Sequence, residues 1–217
     1  MKAFFSSIKN LFKPIDLTSG STLKVILIFS LPILINAILN NAFSLVNSLV
    51  LKSTVGGDSV ASISVTGSIS SLLFNFAYGC SSGFSVITSN KYGAKDYDGV
   101  RKNLNISLFL GLIIGIVITT IGLICLPYLF SFLNVSPIYY DMAYQYFVII
   151  LIYFVVTVLA NILGNFIIAL GNSTIPLFFS ICATLINIGL GYLLTGVITL
   201  GTRGVAIASM SATIFNF

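Results

Sequence analysis

Asparagine side chains are the groups best placed to do chemistry in this sequence. Asn36, Asn40 and Asn47 lie in a stretch without charge between Lys24 and Lys52. At about 100° per residue, the three amides fall within a narrow arc of one helix face. An amide that faces lipid is costly, so this face is expected to look toward other helices or a wet cavity. Two interpretations stay open: the amides hold helices together, or they line a path for a polar solute.

The apolar segments contain no side chain that titrates near neutral pH. The chain has no His and no Glu, and its five acids lie at the ends of apolar segments or in loops: Asp16, Asp58, Asp96, Asp98 and Asp141. A proton-coupled carrier needs a group whose charge changes within the working pH range, such as a carboxyl whose pKa is raised toward neutrality by desolvation. An amide has no such titration. Asparagines can still hold a polar substrate, water or a weakly bound Na⁺ through their oxygens. An enzyme is not expected, because the sequence has no nucleotide-binding loop and no paired acids that face a common site.

The composition is that of an integral membrane protein. The chain has 217 residues, of which 57% are hydrophobic and 7% charged, and its mean hydropathy is +1.09. Soluble domains carry about 25% charged residues. The net charge of +5 does not indicate nucleic acid, because the basic residues lie at the membrane edges. Cys80, Cys125 and Cys182 are widely spaced within or at the edge of apolar segments, which favours small buried hydrophobes over a disulfide or metal site.

The hydropathy pattern predicts an all-α fold, a transmembrane bundle of six helices. The expected spans are about 24–51, 60–88, 104–126, 140–170, 176–198 and 205–217. Pro32 removes a backbone donor inside the first span, which predicts a hinge there. The second span is rich in small and hydroxyl residues, as expected of a helix packed inside a bundle or of a water-facing wall. The last span is shorter than a crossing needs, so we expect a fragment that ends inside a truncated sixth helix.

The distribution of basic residues predicts the orientation in the membrane. Residues 1–15 have the pattern of an amphipathic helix that lies in the membrane surface. With the N-terminus inside, eight basic residues are cytoplasmic: Lys2, Lys9, Lys13, Lys24, Lys91, Lys95, Arg101 and Lys102. The outer loops then hold only Lys52 and Arg203. This bias predicts a multi-pass protein of the cytoplasmic membrane with a cytoplasmic N-terminus.

Four short motifs stand near the ends of the predicted spans. They are DLTSGS (residues 16–21) ahead of Leu31-Pro32, GGDSVA (56–61), KYGAKDYDGVR (91–101) and LGNSTIP (170–176). Together they resemble the multidrug and toxic compound extrusion (MATE) family, within the wider superfamily of oligosaccharide-lipid flippases. The third motif is the most specific, since it is similar to the family's Y/F-G-A-K/G-x-x-x-x-V-R loop. The resemblance covers residues 16–217 and implies the N-terminal lobe of a twelve-helix transporter, whose partner would be a missing C-terminal lobe.

The resemblance implies an efflux antiporter that exchanges H⁺ or Na⁺ for small organic, often cationic, compounds in the lipid bilayer. The family's first-span Asp falls on Asn47 and its fifth-span Asp falls on Gly191, whereas its supporting amides match at Asn161 and Asn187. Both carboxylate positions therefore hold residues that cannot ionise. The coupling ion is then not bound by a carboxylate in this lobe, and no cofactor, metal or nucleic acid is expected.

Three explanations fit the replaced carboxylates. Coupling takes place in a second lobe, the chain moves a different substrate, or it is a fragment that does not transport. A lipid-linked glycan flippase of the same superfamily is an alternative within transport. A flippase would need a basic cavity for a pyrophosphate head group, and no predicted span contains Lys or Arg in its interior, which disfavours it.

Overall fold

A computed structural model describes residues 22–54, 56–133 and 135–215. These residues form α1 (Thr22–Thr54), α2 (Gly57–Gly93), α3 (Tyr97–Phe132), α4 (Pro137–Ala169), α5 (Thr174–Tyr192) and α6 (Thr202–Phe215), with a π-helical turn over Leu193–Val197. No strand occurs in the described ranges, which confirms the predicted all-α fold class. The surface helix predicted for residues 1–15 lies outside the described residues.

Within the described residues, four helical segments are long and apolar enough to cross a membrane: Val25–Ser53, Tyr97–Phe132, Pro137–Ala169 and Thr174–Val197. The second helix is longer than any of them, at 37 residues, but its many hydroxyl and glycine residues lower its hydropathy. The same helix buries Thr66, Ser81 and Thr88, so its small polar side chains serve in part as packing. Its position inside the bundle therefore comes from its contacts rather than from its apolar content.

The charged stretch 89–103, which lies between the second and third predicted spans, is mostly helical. α2 continues to Gly93 and α3 starts at Tyr97, so only a short turn separates them. Asp96 caps α3, because its carboxylate accepts the Gly99 backbone N–H at 2.9 Å and pairs with the Lys91 ammonium at 3.2 Å. Charged residues at a membrane edge extend helices into water as readily as they end them, so these two helices are longer than the predicted spans.

The third predicted span ends near residue 126, but α3 runs through Pro127 to Phe132. Phe130 is fully buried there, with its ring edge-on to those of Tyr140 and Tyr144 at centroid distances of 5.5 and 6.3 Å. Such aromatic pairs stabilise by about 0.5–1.5 kcal/mol each beyond the area they bury. This packing holds the last turn of α3 even though the proline removes one backbone hydrogen bond.

α4 is the central helix and contacts α2, α3 and α6. On the α3 side, Gly111 and Gly115 are buried and let the two backbones come close, as a Cβ on Gly115 would lie 3.0 Å from the Val155 Cα. α1 packs mainly along α5, and α6 fits between α4 and α5. This arrangement leaves α1, α2, α4 and α6 around a common space.

Candidate functional site

A cavity of about 420 Å³ lies between α1, α2, α4 and α6. We call it the Ser209 cavity. Its polar lining comes from Asn40, Asn41, Asn47, Ser48, Ser70, Ser71, Tyr146, Tyr153, Thr157, Ser209 and Thr213. Its volume falls in the range of about 300–1,000 Å³ that small-molecule sites occupy. The cavity is thus large enough for a small organic compound.

Two asparagines from different helices meet at Ser209. The Asn47 Nδ2 of α1 donates to the Ser209 Oγ at 3.2 Å, and the Asn187 Nδ2 of α5 donates to the same atom at 3.1 Å. A hydroxyl oxygen accepts two hydrogen bonds and donates one, so Ser209 keeps its hydrogen for a further partner. Asn187 is 1% exposed, and its Oδ1 has no partner among the described residues. Next to the cavity, the buried Asn187 therefore keeps an acceptor oxygen that no described residue uses.

Gly191 lies one turn after Asn187 and is buried. A Cβ at this position would meet only the Val50 Cγ1, at an ordinary contact distance of 3.6 Å. The Thr195 hydroxyl, in the π-helical turn that follows, donates to the Gly191 carbonyl at 2.6 Å. Single π-helical turns of this kind are frequent at functional sites. The position has room for a small side chain but carries none.

A second cavity, of about 310 Å³, lies nearer the start of α1. We call it the Asn161 cavity. Its polar lining comes from Asn36, Asn40, Tyr78, Thr157, Asn161, Asn165, Ser180 and Thr213. The amide nitrogens of Asn161 and Asn165 donate to carbonyls of their own helix, at Thr157 and Asn161, over 2.9 and 3.0 Å. These two amides consequently do not tie α4 to a neighbouring helix.

The structure divides the predicted path between the two cavities. Asn47 lines the Ser209 cavity, Asn36 and Asn161 line the Asn161 cavity, and Asn40 lines both. Asn36 and Asn47 cannot share one small cavity, because eleven helical residues span about 16 Å. Asn187 reaches the Ser209 cavity through its hydrogen bond to Ser209.

Pro32 lies inside the continuous helix α1, and its role as a hinge stays a prediction. Beside it, the Ser173 hydroxyl of the α4–α5 turn donates to the Phe29 carbonyl at 3.0 Å. Phe29 precedes Pro32 by three residues, in the turn where a proline weakens the backbone ladder. This contact is the part of the hinge region that the sequence pattern did not reveal.

Sequence reasoning also missed Ser209, Thr213 and Thr157. The first two lie four residues apart on α6, which places both hydroxyls on one helix face. That spacing is a signal that the sequence contains. Thr157 lies four residues before Asn161 on α4, so it follows the same face as a residue that was predicted.

The electrostatics of both cavities are simple. No Asp, Glu, His, Lys or Arg lines either of them. Over the described ranges, no group of three or more His, Cys, Asp or Glu side chains could hold a metal ion. What the cavities offer is hydrogen bonding by amides and hydroxyls, together with the rings of Phe74, Tyr146 and Tyr153 in the Ser209 cavity.

Comparison with known proteins gives a consistent result. The MatE family profile matches residues 32–193. The "Probable multidrug resistance protein YpnP" of Bacillus subtilis is 26% identical over 200 residues, which are 91% of this chain and 44% of that protein. The "Probable multidrug resistance protein YoeA" of the same organism is 27% identical over 201 residues, 88% of this chain and 42% of that protein.

A solved structure, an outward-facing conformation of a MATE family transporter of the MOP superfamily, superposes with a TM-score of 0.84. It is 21% identical, and the match covers 91% of this chain and 44% of that one. The chain thus spans less than half the length of the curated relatives and of the solved transporter that it matches.

Proposed function

Since the chain belongs to the MatE family of transporters, we propose that it supplies one six-helix lobe of a carrier that exports small organic compounds. The Ser209 cavity is the observation that supports this function most directly. It is lined by four helices, has the size of a ligand site, and contains the point where Asn47 and Asn187 share one hydroxyl. Helices that only packed against one another would not leave a polar space of this size between them.

We propose organic cations as the substrates of the Ser209 cavity. Phe74, Tyr146 and Tyr153 place three aromatic rings around it, and ring faces attract an organic cation by about 0.5–2 kcal/mol each. The Asn47 carbonyl oxygen and the Ser209 hydroxyl supply polar contacts without a full charge. Exchange of the substrate for H⁺ or Na⁺ is part of the same proposal.

We propose that Asn47 and Gly191 take the places of the family's coupling carboxylates, and that proton coupling does not occur in these two cavities. Neither is lined by a carboxyl, an imidazole or an amine that could take up and release a proton. Such a group would have to lie elsewhere in the working transporter, such as a second lobe. We further propose residence in the cytoplasmic membrane with the N-terminus inside, from the bias of basic residues toward one side.

A glycan flippase is the second candidate, and the lining of the cavities does not favour it. A pyrophosphate head group calls for Arg or Lys in the site, and neither residue lines either cavity. A lobe that does not transport is the third candidate. Transport itself separates that possibility from the leading proposal.

Ethidium efflux tests the proposed export. Cells that express the full-length reading frame are expected to extrude ethidium faster than cells without it, and Asn187→Leu is expected to slow this extrusion at least about tenfold, as loss of a buried polar anchor does. Asn105→Leu, an exposed amide on α3 outside both cavities, is the matched control. Equal efflux from the two variants, or no efflux above that of empty cells, would exclude transport through the Ser209 cavity.

The pH dependence of ethidium binding tests the absence of coupling. Binding to the purified chain is expected to stay flat between about pH 5 and 8, because no cavity side chain titrates in that range. Asn47→Asp is expected to introduce a single titration step, since a partly buried carboxyl has a raised pKa. Asn105→Asp should leave the profile flat. A step in the unmodified chain would show that a titrating group was overlooked.

A further inference from the structure

The turn between α2 and α3 is the most charged part of the sequence. Four basic and two acidic residues fall within residues 91–102, which gives this segment a net charge of +2. Lys91 is paired with Asp96 at 3.2 Å, so these two charges offset each other within the fold. The side chains of Lys95, Arg101 and Lys102 are exposed, and no other described residue forms an ion pair with them. Three cations therefore face out of the bundle at one place.

The fold holds these basic side chains in a fixed position. Asn103 is buried against α2, because its Nδ2 donates to the Thr88 Oγ1 at 2.8 Å and to the Phe84 carbonyl at 3.2 Å. Arg101 and Lys102 precede Asn103 directly and are exposed on other faces of α3, since successive helix residues are rotated by about 100°. The hydrogen bonds of Asn103 thus fix the rotation of α3 and the direction of the two cations.

Lys95, at the tip of the turn, adopts a backbone conformation that is unfavourable for a lysine. Its φ is 59°, in the left-handed region that glycine enters without strain and that other residues rarely adopt. A glycine at this position would relieve the strain but would remove the positive charge. Backbone strain of this kind is concentrated at functional positions. The charge of Lys95 therefore explains its presence better than the geometry of the turn does.

The basic residues of α3 lie at the depth of the lipid headgroups. The third predicted span begins at about Leu104, which follows Lys102 by two residues, or about 3 Å along the helix axis. The headgroup layer is about 5–8 Å thick on each side of the hydrocarbon. Tyr92 and Tyr97, whose ring centroids are 6.1 Å apart, add the amphipathic rings that are typical of this layer.

We propose that the α2–α3 turn is a binding surface for anionic lipid headgroups. Arg101 and Lys102 contact the phosphate of the lipid, since a guanidinium donates two parallel hydrogen bonds to phosphate oxygens and an ammonium adds a point charge. Lys95 strengthens the attraction from the tip of the turn, within the Debye length of about 10 Å. A lipid fits better than a soluble anion because the cations of α3 lie in the headgroup layer. This surface is separate from both cavities and does not depend on the transport proposed above.

Two lipids that share a phosphate but differ in net charge test this surface. Native mass spectrometry of the full-length protein in detergent measures the binding of dioleoylphosphatidylglycerol, which is anionic, and of dioleoylphosphatidylcholine, which is zwitterionic. We expect phosphatidylglycerol to bind at least about tenfold more tightly, because each basic residue near the headgroups strengthens binding of an anionic lipid about fivefold. Equal binding of the two lipids would overturn the proposal.

Single substitutions locate the binding. Lys95→Gly, Arg101→Gln and Lys102→Gln are each expected to weaken phosphatidylglycerol binding about fivefold and to leave phosphatidylcholine binding unchanged. Lys52→Gln is the matched control, because it removes one exposed charge from the last turn of α1, at the other end of α2. Lys95→Gly should also keep or raise the melting temperature, which separates the loss of charge from a loss of folding. Full retention of binding in the three variants, or an equal loss in Lys52→Gln, would contradict the proposal.

Asp98→Asn tests the surface in the opposite direction. Asp98 is exposed beside the basic residues, so removal of its negative charge is expected to tighten phosphatidylglycerol binding about fivefold. Damage to the fold would not produce such a gain, and unchanged or weaker binding would overturn the proposal. Displacement of the lipid by inorganic phosphate at constant ionic strength would assign the surface to a soluble anion and would also overturn it. Selective lipid binding by a protein that shows no ethidium efflux would support this surface while rejecting the proposed transport.

Discussion

The two sides of the bundle pack in different ways. Between α3 and α4, glycines and large apolar side chains are buried, among them Phe130, Phe147 and Phe154. α1, on the other side, buries only Val50 and Leu51 among the apolar side chains that the structure describes for it. Its polar residues face the two cavities, while many of its leucines and isoleucines are exposed.

This difference separates a tightly packed scaffold, formed by α3 and α4, from α1, which forms one wall of both cavities. A helix pair with closely packed backbones has one low-energy arrangement, since interiors of this density do not deform gradually. A helix held by few buried contacts belongs to the parts of a protein that open at low free-energy cost. We therefore expect α3 and α4 to determine stability and α1 to determine access to the cavities.

The largest effect is expected where the scaffold is tightest. Gly115→Leu would place a branched side chain against the Val155 backbone, because even a Cβ there would lie 3.0 Å from the Val155 Cα. We expect the free energy of unfolding in detergent to fall by about 3 kcal/mol or more, as in overpacked cores. Circular dichroism during denaturant titration measures this change.

Gly79→Leu is the control on α2, because a Cβ at Gly79 would meet no atom within 4 Å. It should leave stability unchanged or raise it slightly, since leucine is the better helix former. If both leucines destabilised equally, the close approach of α3 and α4 would not be the feature that holds the scaffold.

The helices of the scaffold could be predicted from the sequence more fully than the residues at which they end. Runs of apolar residues fix the existence of helices, and glycines four residues apart on the third span, at Gly111 and Gly115, are consistent with a contact between helices. The end of α3 could not be predicted, because Pro127 is a local signal for termination. What overrides it is the burial of Phe130 against Tyr140 and Tyr144. These two residues belong to the next helix, α4, so the sequence of α3 alone does not show the contact.

The next largest effect is expected at Ser209, where α6 meets α1 and α5. Ser209→Ala removes the acceptor that Asn47 and Asn187 share. We expect a loss of about 2 kcal/mol of stability, because the buried Asn187 amide is left without a partner. Ser211→Ala is the matched control, because the Ser211 hydroxyl bonds only to a carbonyl of its own helix. This variant should change the stability little.

A double-mutant cycle with Asn47→Leu sharpens this test. If the two side chains act through their hydrogen bond, the effects of Ser209→Ala and Asn47→Leu should be less than additive by about 0.5–1 kcal/mol. Strict additivity would mean that Asn47 and Ser209 stabilise the bundle independently, and that α1 is not fixed at this point.

The candidate site could be predicted only in part. One helix face was enough to select Asn36, Asn40 and Asn47, because periodicity is visible in sequence. Their division between two cavities depends on how far apart they lie along α1 and on which helices surround each level. Ser209 was not found, since a serine among small residues is an ordinary helix contact until two amides are seen to converge on it.

A smaller effect is expected near the start of α1. Ser173→Ala removes the hydrogen bond to the Phe29 carbonyl beside Pro32. We expect about 1 kcal/mol of local stability to be lost, the usual value of one such bond, and amide exchange to quicken near Phe29 and Pro32. Ser30→Ala, whose hydroxyl bonds only within α1, is the control. Unchanged exchange in Ser173→Ala would mean that the α4–α5 turn does not restrain α1.

The smallest effect is expected at the exposed rim of the scaffold, where Asp96 caps α3. The Gly99 N–H and the Lys91 ammonium hold the pKa of this carboxyl below its ordinary value of 3.8. Because the folded pKa is the lower one, the charged carboxylate stabilises the chain above the unfolded pKa, and this contribution is lost as pH falls through the folded pKa. Asp96→Asn keeps an oxygen for the Gly99 N–H but loses the charge.

Denaturant titrations of the parent and of Asp96→Asn should therefore differ slightly and constantly above about pH 5, and converge as the pH falls below the folded pKa. High salt should reduce the difference, since the Lys91 pair is exposed to solvent. A difference that grew on acidification would mean that the protonated carboxyl is the better cap. The negative charge of Asp96 would then not be what stabilises the start of α3.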